Sequence, residues 1–199
     1  EGAEKYTFYA LRLPYGTQID ETDALEAIQF INPSKQFLIN IKPAVDVACT
    51  QFKLATGVEL TDYIKGNMKA RERMKVQFDF AGQYGCLVIG TDHAAELVTG
   101  FFTKYGDGAS DIVPLFGLNK RQGRMLLKEL NCPEHLITKD PTADLEDERP
   151  GLLDEIALGV TYEEIDDNLE GKNVSDEAKK KIENQFVRSQ HKRQFPVTP

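Results

Sequence analysis

Short apolar runs, separated by longer stretches of helical period, recur along the chain. The first run, over residues 6–13, is β-branched and aromatic and predicts a strand that ends before Pro14. Further apolar runs predict strands over 37–41, 87–89 and 111–115. The run over 87–89 is typical of a buried strand.

Helices are predicted between and after these strands, where N-cap residues precede apolar positions at helical spacing. The predicted helices cover residues 20–31, 44–54, 67–81, 120–130 and 175–190, and two of them are capped by Asn119 and Ser175. Strands that alternate with helices imply a parallel sheet whose two faces are covered by helices. The predicted fold class is therefore α/β, in one domain.

The segment 90–96 is the most informative part of the sequence. It follows the third predicted strand and opens a helix, which is where α/β proteins place their ligands. Asp92 and Glu96 lie one helical turn apart beside Thr91, and such a carboxylate pair can hold Mg²⁺ alongside substrate phosphates. The simpler interpretation is that Asp92 caps the helix and Glu96 is a solvated charge.

Length and composition bound the class of protein. The 199 residues are 41% hydrophobic and 28% charged, as in ordinary globular domains. No apolar run approaches the roughly 20 residues of a membrane span, and the N-terminus does not resemble a signal peptide. The widely spaced Cys49, Cys86 and Cys132 predict reduced thiols and a cytoplasmic location.

The net charge of −8 argues against a nucleic-acid-binding domain. Three basic clusters nevertheless indicate local sites for a multiply charged anion such as a dinucleotide or ATP. The clusters are Lys69, Arg71, Arg73 and Lys75; Lys120, Arg121 and Arg124; and Arg188, His191, Lys192 and Arg193. The second cluster stands at the helix start capped by Asn119, where unpaired backbone N–H groups also favour phosphate.

Three other features are interpreted from the residues alone. Lys104 and Asp111 flank a glycine-rich turn, where a surface salt bridge is expected. Phe101 and Phe102 are interpreted as core rather than as a platform for a ligand ring. The polar segment 139–150 is either a mobile functional loop or a disordered one.

Six motifs, taken in order, resemble the ammonia-dependent NAD synthetases of bacterial type. They span essentially the whole chain and comprise Arg12-Leu13-Pro14-Tyr15-Gly16-Thr17-Gln18, Asn67-Met68-Lys69-Ala70-Arg71, Gly90-Thr91-Asp92-His93-Ala94-Ala95-Glu96, Leu118-Asn119-Lys120-Arg121-Gln122-Gly123, Pro141-Thr142-Ala143-Asp144-Leu145-Glu146-Asp147 and His191-Lys192-Arg193. The resemblance implies a Rossmann-like fold of the adenine nucleotide alpha hydrolase type, as in N-type ATP pyrophosphatases. It also implies a ligase that uses ATP to adenylate deamido-NAD and then ammonia to form NAD, AMP and pyrophosphate.

The resemblance assigns expected roles to single residues. For ATP the implied contacts are Thr91, Lys120 and Thr142, with Arg12 and Gln18 also at the nucleotide. Glu96 is implied as the Mg²⁺ ligand, and Thr142 lies on a loop expected to close over the reactants. His93 is expected to orient its neighbours rather than to act as a general base. The implied deamido-NAD contacts are Arg71, Lys104, Asp111, His191 and Lys192.

The chain departs from the family pattern at both ends. The family's Ser-Gly-Gly-x-Asp-Ser pyrophosphate loop does not occur in it, and it stops before the family's usual aromatic C-terminal tail. We therefore expect residues 1–199 to form an N-terminally truncated NAD synthetase domain, unstable without the missing segment or a partner.

Members of this family are homodimers with deamido-NAD at the interface, which makes Arg71 on the helix over 67–81 an interface candidate. That helix could equally pack within its own subunit. Free ammonia is the expected nitrogen donor, because no glutaminase domain is present in the sequence. Two other functions remain open: another ATP pyrophosphatase, such as a GMP synthetase-like domain, or a catalytically incomplete nucleotide-binding or dimerisation fragment.

Overall fold

The computed structural model describes residues 6–143, 145–196 and 198. Its strands are β1 (Tyr9–Arg12) and β2 (Lys35–Leu38). Its helices are α1 (Glu21–Ile31), α2 (Lys42–Thr56), α3 (Asp62–Tyr84), α4 (Ala94–Thr99), α5 (Lys120–Glu129), α6 (Glu134–Thr138), α7 (Asp154–Leu158), α8 (Tyr162–Leu169), α9 (Asp176–Arg188) and α10 (Gln190–Arg193). Asp144, in the fifth sequence motif, lies outside the described residues. None of the helices in these ranges is both long and apolar enough to cross a membrane.

The parallel arrangement predicted from the sequence is confirmed. β1 and β2 pair in parallel, with Leu11 opposite Phe37. A second parallel pairing joins Ile89 to Ile112, but only as a one-residue bridge rather than as the two predicted strands. The Asp111 carboxylate accepts the Val88 N–H at 2.8 Å, so a side chain replaces part of the backbone ladder there.

Two helix starts differ from the prediction in ways that bear on the site. α3 begins five residues earlier than predicted, because the Thr61 hydroxyl accepts the Ile64 N–H and supplies an N-cap that the apolar pattern does not show. α4 begins at Ala94, and its cap is His93 rather than Asp92. The Asp92 cap predicted from the sequence is therefore wrong.

Two apolar cores hold these elements together. One is built from α4, α8 and α9 around the fully buried Ala95, Ile165 and Ile182. The other is built from Leu13, which follows β1, and from Ile41 and Val45 at the start of α2. The first core thus fixes α4, which follows the 90–96 segment, and the second joins α2 to α3 through Cys49, Met68 and Val76.

Candidate functional site

The loop that contains Gly90 makes a close contact with the loop that contains Ser110 and Ile112. Gly90 donates its N–H to the Ile112 carbonyl at 2.8 Å. A Cβ at Gly90 would lie 2.4 Å from the Ser110 hydroxyl, so only glycine fits here. Thr91, the next residue, lines a large cavity together with His93 and Glu96.

The cavity, which we call the α4–α5 cavity, has a volume of about 580 Å³. It gathers four residues that the sequence assigned to ATP or to a metal ion: Thr91, Glu96, Lys120 and Thr142. An adjoining cavity of about 300 Å³, between α3 and α4, shares Thr91, Glu96 and Thr142 with it. The structure therefore brings residues from three separate motifs to one connected space.

Glu96 is held rather than solvated. His93 Nδ1 accepts the Glu96 N–H at 3.5 Å, and His93 Nε2 lies 3.2 Å from Glu96 Oε1. The Glu96 side chain is only 23% exposed. The imidazole thus caps the first turn of α4 and lies beside the Glu96 carboxylate, although its Nε2 makes no hydrogen bond among the described residues.

Asp92 is buried beneath the cavity, and burial raises its pKa to about 6, with further contributions from the charges of Glu96 and Asp107. Because the ordinary pKa of Asp is 3.8, the folded protein binds more protons than the unfolded chain between these two values. The free energy of unfolding therefore falls as the pH rises through this window.

We expect Asp92→Asn to stabilise the protein by about 1–3 kcal/mol near pH 7.5, because it removes an uncompensated buried charge. Near pH 4, where Asp92 is protonated in the folded state, we expect almost no gain. Denaturant unfolding of both proteins at the two pH values measures the difference. An equal gain at both values would contradict the role assigned to the charge.

The start of α5 does not offer free N–H groups to a phosphate, contrary to the sequence-based prediction. The Asp166 carboxylate accepts the N–H groups of Lys120 at 3.1 Å and Arg121 at 2.7 Å. Asn119 accepts the next N–H, from Gln122, at 2.9 Å within a capping box. The carboxylate of Asp166 thus occupies this helix end. Lys120 can still bind an anion through its ammonium group. That group lies 4.9 Å from the Tyr162 ring centroid.

Asp154 is a candidate site residue that the sequence did not predict. It is buried, lines both cavities, and accepts the Tyr162 hydroxyl on Oδ2 at 2.9 Å. Its Oδ1 is buried without a hydrogen bond from the described residues. Burial raises its pKa, an effect opposed by the Tyr162 hydrogen bond and the Lys120 charge. Asp154 is the first residue of α7 and follows a charge-rich segment, so the local composition gave no signal that distinguished it from its neighbours.

The predicted deamido-NAD contacts fall into two groups. Arg71 Nε donates to the Lys104 carbonyl at 3.2 Å, which brings these two residues together. Asp111 is engaged with the Val88 N–H, and the predicted salt bridge with Lys104 does not occur. Lys104 instead lies over the Tyr105 ring, at 5.3 Å from its centroid.

The second group lies on α10. His191 is exposed, whereas Lys192 donates to the carbonyls of Gly100 and Phe102, both at 2.7 Å. Burial lowers the pKa of Lys192. Lys192 lines a third cavity, of about 400 Å³, with Phe101 and Phe102 in its wall. Phe101 also packs against the α4–α8–α9 core, as predicted.

Arg12 and Gln18 stand apart from these cavities. Arg12 ends β1 and forms an ion pair with Glu21 at the start of α1. Neither Arg12 nor Gln18 lines any of the three cavities described above. Their predicted contact with ATP stays a prediction.

A parallel α/β fold with Thr91, Glu96, Lys120 and Thr142 gathered at one cavity defines a Rossmann-like protein of the adenine nucleotide alpha hydrolase class. The family profile described as NAD synthase matches residues 2–196. The chain belongs to the NAD synthase family.

Similarity to individual proteins supports this assignment. A protein described as NH(3)-dependent NAD(+) synthetase, from Halalkalibacterium halodurans, is 64% identical over 193 residues, covering 97% of this chain and 71% of that protein. A solved NAD+ synthetase from Burkholderia pseudomallei is 43% identical, with a TM-score of 0.77 over 96% of this chain and 70% of its own. A solved structure described as NMN synthetase, from Francisella tularensis, is 42% identical, with a TM-score of 0.87 over 98% of this chain and 79% of its own.

Proposed function

We propose that the protein amidates deamido-NAD with ammonia in an ATP-dependent reaction. ATP adenylates the nicotinate carboxylate and releases pyrophosphate, and ammonia then displaces AMP to give NAD. The observation that carries the proposal is the convergence of Thr91, Glu96, Lys120 and Thr142 on the α4–α5 cavity. The hydroxyls, carboxylate and ammonium of these four residues are the groups that a nucleoside triphosphate and its cation require.

The donors in this cavity fit Mg²⁺. Glu96 offers an oriented, half-buried carboxylate, and Asp154 Oδ1 is a buried carboxylate oxygen that receives no hydrogen bond from the described residues. The described residues contain no group of three His, Cys, Asp or Glu side chains placed to hold a metal. Mg²⁺ held by Glu96 would therefore complete its coordination with phosphate and water oxygens and would neutralise the departing pyrophosphate.

The loop that carries Thr142 shields the reaction. Thr142 forms an antiparallel bridge with Leu153, and the Asp154 N–H donates to the Pro141 carbonyl at 3.0 Å. Ala143 and Leu145 line the adjoining α3–α4 cavity. In this position the loop excludes water from an activated carboxylate, which would otherwise hydrolyse.

Deamido-NAD is proposed to bind along α3 and α10, through the five residues that the resemblance assigned to it. Arg71 is exposed on α3, which favours contact with a second copy of the chain and a homodimer with deamido-NAD at its interface. Free ammonia as donor and a cytoplasmic location complete the proposal.

The decisive experiment follows NAD formation from deamido-NAD, ATP and ammonium with Mg²⁺, with reactions lacking each component as controls. We expect NAD, AMP and pyrophosphate in equal amounts, because one ATP is split for each amide formed. Pyrophosphate release without NAD would leave adenylation intact but contradict the amidation step. No turnover, together with binding of deamido-NAD but not of ATP in calorimetry, would favour the non-catalytic nucleotide-binding fragment.

Two other products are worth testing in the same assay. One solved relative is described as an NMN synthetase. NMN, a mononucleotide smaller than NAD, is therefore the second candidate product. Nicotinate mononucleotide and xanthylate, offered in competition with deamido-NAD, distinguish this candidate and a GMP synthetase-like activity from the proposed one.

A further inference from the structure

One face of α3 holds the loop that carries Thr142. Asp62, Lys65, Gly66 and Lys69 follow the i, i+3, i+4, i+7 spacing of a single helical face. All four contact the loop residues 145–148, so we call this surface the α3 dock. The sequence alone does not reveal it, because each loop partner lies 76 or more residues away along the chain.

The first turn of the α3 dock binds the loop backbone. The Asp62 carboxylate accepts the N–H groups of Asp147 and Glu148, both at 2.9 Å. One turn later, a Cβ at Gly66 would lie 3.1 Å from Leu145 Cβ and 3.2 Å from the Leu145 carbonyl oxygen. The lack of a side chain at Gly66 therefore lets the loop approach the helix closely.

Lys69 is the buried end of the α3 dock. Only 2% of the residue is exposed, and its ammonium donates to the Leu145 carbonyl at 2.7 Å and to Asp147 Oδ1 at 2.6 Å. Lys65 reaches the other oxygen of Asp147 at 2.7 Å. A charged ammonium that is almost inaccessible to water must have such partners to remain buried. The burial of Lys69 therefore depends on the loop, and the position of the loop depends on Lys69.

The same ammonium also contacts the segment 12–18, whose ATP contact is one of the predictions from the sequence. Lys69 Nζ lies 4.3 Å from the ring centroid of Tyr15, in the segment between Arg12 and Gln18. Tyr15 donates its hydroxyl to Asp46 on α2, at 2.5 Å. A cation over an aromatic face is attracted to it, and more strongly where water is excluded.

We propose that Lys69 is a positioning residue that joins the 12–18 segment to the Thr142 loop and so holds both in place for ATP. This inference rests on the proposed function, because it names what the α3 dock does for the same site. Lys69 itself lines none of the three cavities described above, so it acts through Tyr15 and the loop rather than on the substrate. A loop that leaves the α3 dock must be ordered again at each binding event, which weakens the apparent affinity for ATP.

The test is Lys69→Met in the intact protein, read by hydrogen exchange and by steady-state kinetics. The Asp147 and Glu148 amides are expected to lose protection, because undocking breaks their bonds to Asp62. The KM for ATP is expected to rise about tenfold or more, with the KM for deamido-NAD changed by less than about threefold. Lys53→Met is the matched control, since it removes an exposed ammonium paired with Glu59 and should change neither readout.

A second variant keeps the test informative if Lys69→Met does not fold. Asp147→Asn changes an exposed loop carboxylate, so it should fold, and it should shift exchange and KM for ATP in the same direction by a smaller factor. Unchanged loop exchange in either folded variant would overturn the proposal, as would an equal rise in both KM values. Because hydrogen exchange needs no turnover, its outcome is independent of whether the proposed reaction is correct.

Discussion

Replacement of Glu96 by Gln is expected to slow pyrophosphate release by about 100-fold or more, because it removes the oriented negative charge proposed to hold Mg²⁺ at the phosphates. The change keeps the size of the side chain. The Kd for deamido-NAD should change by less than about threefold, since that substrate is proposed to bind along α3 and α10. Pre-steady-state release of pyrophosphate and equilibrium binding of deamido-NAD measure the two quantities.

The matched control is Glu177→Gln on α9. Glu177 is an exposed carboxylate that pairs with Lys181 on the surface, so the adenylation rate should not change. A Glu96→Gln variant with normal pyrophosphate release at every Mg²⁺ concentration would remove Glu96 from the metal site. A variant that instead lost deamido-NAD binding would show that Glu96 serves the other substrate.

The largest expected effect on stability comes from Gly100→Ala. Gly100 ends α4 with a φ of +65°, which L-residues with side chains adopt at a cost. A Cβ there would lie 2.1 Å from Ser189 Cβ, in a buried contact between α4 and the junction of α9 with α10. Strain and overpacking together should lower the free energy of unfolding by about 2–5 kcal/mol.

Gly171→Ala distinguishes backbone strain from overpacking as the cause of the lost stability. Gly171 also has a positive φ, of +74°, but a Cβ there meets nothing within 4 Å. It should therefore show the conformational cost alone, about 1 kcal/mol. Denaturant unfolding of both variants measures the difference, and equal losses at the two positions would contradict the overpacking at Ser189.

Local signals in the sequence predicted much of this fold. α1, α5 and α9 begin within a residue or two of their predicted starts, because each is marked by polar or acidic residues at its N-terminus and, for α5 and α9, by the predicted caps Asn119 and Ser175. The strands were less predictable. The run over 87–89 forms a single bridge, between Ile89 and Ile112, and no continuous strand. The Val88 carbonyl accepts the N–H groups of Asp111 and Ile112, but the Val88 N–H donates to the Asp111 side chain instead of to a backbone carbonyl.

The candidate site was predictable only where a motif carried it. Thr91, Glu96, Lys120 and Thr142 belong to recognisable motifs, and the structure brings them together. Asp166 and Lys69 owe their environments to partners at least 45 residues away along the chain. Asp154 pairs with Tyr162, only eight residues on, but nothing in the sequence marks it as buried. Their burial depends on tertiary packing.

The carboxylate of Asp166 at the start of α5 has a consequence for product release. A helix end with open N–H groups would bind the pyrophosphate product as firmly as the phosphates of ATP, and its residence time would then limit turnover. With those groups already occupied, the phosphate contact proposed for α5 would be made by the Lys120 side chain instead of the backbone. A single side-chain contact can be made and broken quickly, which would suit the release of pyrophosphate in the proposed reaction.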